Sequence, residues 1–231
     1  MIPGTVSIIT RRSPVLINAV TIDASASVPA DVRLKLDVPA GSKFMVCEAW
    51  TGGGGGQTSG NTAGGIGGTY CKNSNVSLVG YSVLYYQIGS GIAAASKKNA
   101  GLNQSYVSTQ NSAPTNTTFG VRATDNVATA IYTSYYQGGQ PAVQANNTAR
   151  CAGGGGAGSA NNGASTGTNA AAYSLRYGGS PDGGNGAYWT FNGSTYTEVP
   201  AQLPAGAGAG GTTVGSIGTG ANGRIKIAFY G

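Results

Sequence analysis

Polar and apolar residues alternate strictly through VRLKLDV. Val32, Leu34, Leu36 and Val38 fall on one face, and Arg33, Lys35 and Asp37 on the other. This is the period of two that marks a strand buried on one side. A turn at Pro39-Ala40-Gly41-Ser42 leads into KFMVCEAW, where Phe44, Val46 and Glu48 point one way and Met45, Cys47 and Ala49 the other. Both faces are largely apolar, which predicts a strand covered on both sides. Upstream, TVSIIT and SPVLINAVTID are β-branched and read as short strands. Downstream, TYCKNSNVSLVGYSVLYYQIGSG carries one or two more, with Val83, Tyr85 and Gln87 in alternation. Residues 93–118 are polar and read as a long loop or weak strands, after which TTFGVRATDNVATAIYTSYYQ returns to strand character. AYWTFNGSTYTEV predicts a hairpin turning at Asn192-Gly193. RIKIAFYG predicts a terminal strand with Ile225, Ile227 and Phe229 on one face. No segment spaces its apolar residues at helical intervals behind a cap, so the expected class is all-β.

Glycine-rich blocks punctuate these strands, at 52–68, around 153 and around 206; 41 of 231 residues are glycine, against an average of roughly 7%. Three flexible linkers would leave little chain to fold, and structureless loops above about 15 residues are uncommon in compact domains. Collagen needs glycine at every third position, and the spacing here is irregular. The remaining ordered arrangement is a stack of extended, polyproline-II-like segments whose backbones approach closely and satisfy one another's N–H and C=O groups. The expectation is therefore a β-sandwich-like sheet with such segments packed at one end. Gln57, Asn61, Ile66, Asn161, Asn162 and Asp182 would stand on its rim. Glycine loops without fixed structure stay open as the alternative. Stacking would bring Cys71 and Cys151, which flank two of the blocks, together as a candidate disulfide, while Cys47 reads as a reduced core thiol.

Charge narrows the chemistry. Only 9% of residues are charged and the net charge is +6. The basic residues are scattered, with Arg11–Arg12 and Lys97–Lys98 the only adjacent pairs, so no nucleic-acid interface is expected. The diffuse positive field suits either simple solubility or an anionic surface such as a bacterial envelope. No apolar run approaches the roughly 18 residues of a membrane span, and MIPGTVSIITRRSPVLINAV does not read as a secretory signal. With no histidine in the chain, a Ser–His–Asp or Cys–His catalytic arrangement is ruled out. The seven acids are Asp23, Asp31, Asp37, Glu48, Asp125, Asp182 and Glu198. Glu48, in an apolar strand, is the unusual one, with Arg224 or Lys226 its expected partner. No nucleotide-binding glycine loop is present, because no lysine follows the glycines at the required spacing. No enzyme, cofactor or metal site is expected.

DVPAGSKFMVCEAWTGGGGG resembles the opening of glycine-rich domains in bacteriophage tail proteins: an extended strand, a PAG turn, a strand ending in an aromatic, then a long glycine block. YYQIGSG, TTFG and the closing GANGRIKIAFYG are similar to later segments of that family. The resemblance spans residues 36–231, a glycine-rich β domain, and leaves 1–35 as an N-terminal strand and attachment segment. It implies a virion structural protein made in the host cytoplasm and displayed on the particle among other virion proteins. The expected form is a homo-oligomer, trimeric like most fibre and spike parts. In glycine-rich fibre adhesins of this kind, loops displayed by a polyglycine sandwich touch the host receptor. Here the glycine blocks are shorter and fewer, and NQSYVSTQNSAPTNTT is long and polar. Two roles follow. One is an exposed tail-fibre, tail-tip or spike component contacting a host glycan or outer-membrane protein through aromatics beside glycine turns, Tyr70, Tyr177, Tyr188 and Trp189. The other is a capsid or tail decoration protein with a purely structural role.

Overall fold

The computed structural model describes residues 13–56, 62–92, 104–141, 143–144, 150–165, 174–206 and 218–231. In chain order the strands are β1 (Leu16–Asp23), β2 (Leu34–Asp37), β3 (Phe44–Trp50), β4 (Thr62–Ala63), β5 (Tyr70–Ser77), β6 (Val83–Gln87), β7 (Ser105–Ser108), β8 (Gly120–Ala123), β9 (Ser134–Tyr136), β10 (Val143–Gln144), β11 (Tyr188–Phe191), β12 (Tyr196–Val199) and β13 (Arg224–Tyr230). A single 3-10 turn at Val127–Thr129 is the one helical element among the described residues. The protein is all-β. A five-stranded sheet runs β1-β13-β3-β5-β9 and a four-stranded sheet β2-β6-β7-β8; β4 pairs with β10, and β11 with β12. Every pairing is antiparallel.

The two larger sheets share one core. Met45, Cys47 and Ala49 of β3 and Ile225, Ile227 and Phe229 of β13 meet Leu84 and Tyr86 of β6, Val107 of β7, and Val121 and Ala123 of β8. The alternation of β3 and β13 thus sets which face turns inward. Leu34 and Leu36 of β2 pack on this core while Lys35 and Asp37 stay exposed. Val32 lies outside the strand and is 43% exposed. The polar stretch 93–118 hides a buried element: all four residues of β7 are buried, between β6 and β8, while 93–103 lie outside the described residues. Serines at both ends of β7 mask it in the sequence, and their hydroxyls are satisfied locally; Ser105 donates to the Trp50 carbonyl at 2.5 Å and accepts from Gly89 N–H at 2.8 Å.

β1 pairs with β13 from Leu16 opposite Tyr230 to Asp23 opposite Arg224. The Arg224 guanidinium forks onto Asp23 at 2.7 and 2.9 Å. Within the N-terminal segment, Leu16–Asp23 form a strand of the five-stranded sheet, and Leu34 and Lys35 begin β2 of the four-stranded one.

Glu48 sits on the face of the five-stranded sheet opposite the core, where its ion pair is with Lys72 at 3.6 Å rather than with Arg224 or Lys226. Lys226 lies across from Glu48 in register but extends to Asp182, 2.6 Å away. Asp182 also accepts the Ser159 N–H at 2.8 Å, so this carboxylate ties two glycine-rich segments to β13 and is not a rim residue. Burial pushes the Asp182 carboxyl up, but the hydrogen bonds from Lys226 and Ser159 outweigh it and hold the group below the usual carboxylate range. A depressed folded pKa gives stability that is complete above the unfolded value, about 3.9, and is lost as pH falls through the folded value. Asp182→Asn is expected to cost about 1–2 kcal/mol at pH 7 and to flatten the loss of stability between about pH 4 and pH 2. Urea titrations of both proteins across that range check this; parallel acid limbs would exclude the clamp.

The glycine-rich segments hydrogen-bond to one another in a repeating order. Gly154 N–H goes to Gly65 O, Gly155 to Ala164, Gly156 to Gly184 and Ala157 to Gly68, at 2.8–3.2 Å. Three successive donors address three different segments, and the fourth returns to the first, so that the segment at 65–68 is reached by donors three residues apart. The same spacing recurs where Gly53 and Gly56 donate to Ala221 and Gly218. A strand in a sheet would instead alternate with a period of two. Residues 207–217, in the third glycine block, lie outside the described residues.

Candidate functional site

The hairpin β11–β12 projects from this glycine-rich region. Asn192 and Gly193 turn it: Asn192 Oδ1 accepts the N–H groups of Ser194 and Thr195 at 3.1 and 2.8 Å, and Gly193 takes φ +94°. That φ lies in the left-handed region that favours glycine. Register places Phe191 opposite Tyr196 and Trp189 opposite Glu198, so these four side chains share one face. Phe191 and Tyr196 pack with their rings tilted by 33° and centroids 4.6 Å apart. The Arg150 guanidinium lies 3.9 Å from the Tyr196 ring centroid and 5.7 Å from that of Trp189. The result is a small aromatic platform with a cation over it and an exposed tip at Phe191, which is 53% exposed.

The four aromatics chosen from the sequence fall in different places. Tyr177 is 65% exposed and its carbonyl accepts the Ala164 N–H at 2.9 Å within the glycine array. Tyr188 is half-buried on the hairpin. Trp189 is 8% exposed and packs on Ala187 with Tyr196 and Ala201, which turns it toward the base of the hairpin. Tyr70 is fully buried and cannot meet a receptor from its position. It packs between Trp50 (4.8 Å) and Tyr136 (5.9 Å) and against Ala157 and Ala205. Burial, then the charges of Glu48 and Asp182, raise its phenol pKa. Of the rim residues, Ile66, Asn161 and Asn162 are exposed, whereas Gln57 and Asn61 lie outside the described residues.

Neither a family model nor any curated protein matches this chain.

Cys71 and Cys151 are buried thiols that no disulfide joins. Cys71 belongs to the core between the sheets with Met45 and Val121, whereas Cys151 opens a glycine segment outside that cluster. Cys47 is a core thiol as expected. Burial pushes the thiols of both Cys47 and Cys71 up, which keeps them protonated and unreactive. Among the described residues, no three His, Cys, Asp or Glu side chains are grouped to hold a metal ion. Arg150, Phe191 and Tyr196 are the site residues the sequence did not indicate as contacts. Arg150 is one scattered base among thirteen in the chain, and only the fold lays it across the hairpin.

Proposed function

We propose that this chain is a bacteriophage virion structural protein, an exposed tail-fibre, tail-tip or spike component that contacts the host cell surface. The observation that carries this reading is the period-three hydrogen bonding of the glycine-rich segments. Polyproline-II helices have three residues per turn and no internal hydrogen bonds, so we infer that these segments are polyproline-II-like helices packed backbone to backbone. Such a block is held together by main-chain bonds and leaves the residues at its margins free to serve contact. Tyr177 and the Phe191 tip are the large, exposed aromatics at those margins, suited to broad contact at low entropic cost. In the particle the chain would sit among other virion proteins as a homo-oligomer.

A purely structural decoration role has its own support. Val15, Leu16 and Ile17, at the start of the sheet-edge strand, are 67%, 54% and 39% exposed, and a contiguous apolar edge is the kind of surface that docks on a neighbour.

Binding of fluorescently labelled protein to a panel of bacterial strains separates the two. The host-contact role predicts saturable binding to at least one strain. The double variant Tyr177→Ala/Phe191→Ala should weaken it at least about tenfold, equivalent to roughly 1.4 kcal/mol, and should stay folded, since Tyr177 is exposed and Phe191 loses only its ring contact with Tyr196, about 0.5–1.5 kcal/mol. Failure to bind any strain, combined with uptake onto particles that is lost in Leu16→Asp, would favour the decoration role.

A further inference from the structure

On the margin of the glycine array, away from the hairpin residues, lies a cleft of about 240 Å³. Its floor is glycine backbone, where Gly67 N–H donates to Gly139 O at 2.9 Å. Its walls carry Asp125, Gln137, Gln140, Thr69, Tyr135 and Ile66. These come from separate parts of the chain: Ile66 from the first glycine block, Thr69 at the start of β5, Asp125 after β8, Tyr135 from β9, and the two glutamines just beyond it.

The polar groups are fixed from behind. Asp125 accepts from Thr51 Oγ1 at 3.3 Å. The loop ahead of it is pinned by Thr69 Oγ1 donating to Thr124 O at 3.0 Å. Gln140 is anchored through its backbone N–H, which donates to Ser165 Oγ at 2.9 Å. The Gln137 backbone N–H donates to Asn162 Oδ1 at 2.8 Å. Ile66, 37% exposed, supplies an apolar edge.

We propose that this cleft binds a single neutral sugar ring, a hexopyranose residue of a larger glycan. The donor set argues for it. A carboxylate only accepts, whereas a carboxamide both donates and accepts, so the walls suit a ligand whose groups do both, as hydroxyls do. Among the described residues no lysine or arginine lines the cleft and one carboxylate does, which disfavours anions such as phosphate or a uronic acid. The volume is below the roughly 300–1,000 Å³ of pockets for drug-sized ligands, which fits one ring rather than an oligosaccharide. Ile66 and the Tyr135 ring offer the apolar surface on which the C–H face of a pyranose rests. The assignment rests on the host-contact reading for its biological purpose, but the binding itself does not.

The test uses the intact chain and methyl α-glucoside, α-galactoside and α-mannoside as probes, with glucuronate as the anionic control, read by saturation-transfer NMR and calorimetric titration. At least one neutral hexoside is expected to bind saturably with about millimolar affinity, and glucuronate at least tenfold more weakly. Asp125→Asn and Gln140→Ala should each weaken binding about tenfold. Gln140 is exposed, so its variant keeps the test valid if Asp125→Asn perturbs folding. Absence of binding by all three hexosides up to about 100 mM, glucuronate binding as well as they do, or wild-type affinity in Gln140→Ala would each overturn the assignment. The strain-binding assay keeps the two proposals apart. Protein that adheres to bacteria but binds no hexoside loses the cleft and keeps the host contact. Protein that binds a hexoside through Gln140 but adheres to no strain keeps the cleft and loses the host contact.

Discussion

Gly155→Ala is expected to destabilise the protein by about 3 kcal/mol or more, a large share of the roughly 5–15 kcal/mol that holds a typical domain folded. A methyl group on Gly155 would overlap the Tyr177 carbonyl and crowd Gly178 N. Both are main-chain atoms that no rotamer change can move aside. Gly155 is also bonded in both directions, donating to Ala164 O at 3.2 Å and accepting from Gly139 N–H at 2.7 Å, so it cannot shift without breaking the array. Gly193→Ala provides the contrast. Nothing lies within 4 Å of its added carbon, and the cost is only that of holding alanine at φ +94°, about 1–2 kcal/mol. Urea denaturation of the two variants beside the parent decides the matter. If Gly155→Ala melted within about 0.5 kcal/mol of the parent, the backbone packing described for these segments would have to be abandoned.

Trp50→Ala is expected to cost about 3–5 kcal/mol, which for a chain of this size lowers the melting temperature by roughly 6–20 °C. Trp50 is fully buried where β3 runs into the first glycine block. Its indole Nε1 donates to Ala157 O at 2.9 Å, the Tyr70 ring packs 4.8 Å away, and Lys226 lies 5.0 Å from its ring centroid. One side chain therefore joins the sheet, the glycine array and the Lys226–Asp182 pair. Trp50→Phe should be intermediate: it retains most of the apolar contact and leaves the Ala157 carbonyl without its donor, at about 1–3 kcal/mol. Calorimetric melts of both variants check the order. A loss below about 1 kcal/mol for Trp50→Ala would mean that the array holds to the sheet without this anchor.

How far these features were legible in the sequence depends on what each residue packs against. The inward faces of β3 and β13 were readable because Met45, Cys47, Ala49, Ile225, Ile227 and Phe229 alternate with half-buried neighbours, and a period of two has one physical meaning in a strand. The hairpin was readable because Asn-Gly supplies the turn. β7 was obscured by serines whose hydroxyls bond to backbone inside the fold, which local polarity cannot reveal. The aromatics beside glycine turns were the hardest to place. Next to a glycine segment an aromatic ring can lie against backbone on either side, and Tyr70 and Tyr177 have similar surroundings in sequence yet are fully buried and 65% exposed, respectively. Likewise the partner of Glu48 followed from competition: Lys226 is its cross-strand neighbour, but Asp182, 44 positions earlier than Lys226 in sequence, takes the ammonium group. The cleft walls share no motif, since Ile66, Thr69, Asp125, Tyr135, Gln137 and Gln140 converge only in the folded chain.

The place of β13 sets a timetable for synthesis. This strand lies between β1 and β3, with Asp23 and Arg224 joined across 201 positions of chain. While a ribosome is still translating the glycine-rich middle, β1 and β3 have no strand to separate and bind them, and the core lacks Ile225, Ile227 and Phe229. The nascent chain must therefore carry unpaired strand edges until its residues 224–230 have left the exit tunnel. Completion of the fold then reports that translation has passed this point, so chains released before it lack the strand that joins β1 to β3 and are left to cellular quality control.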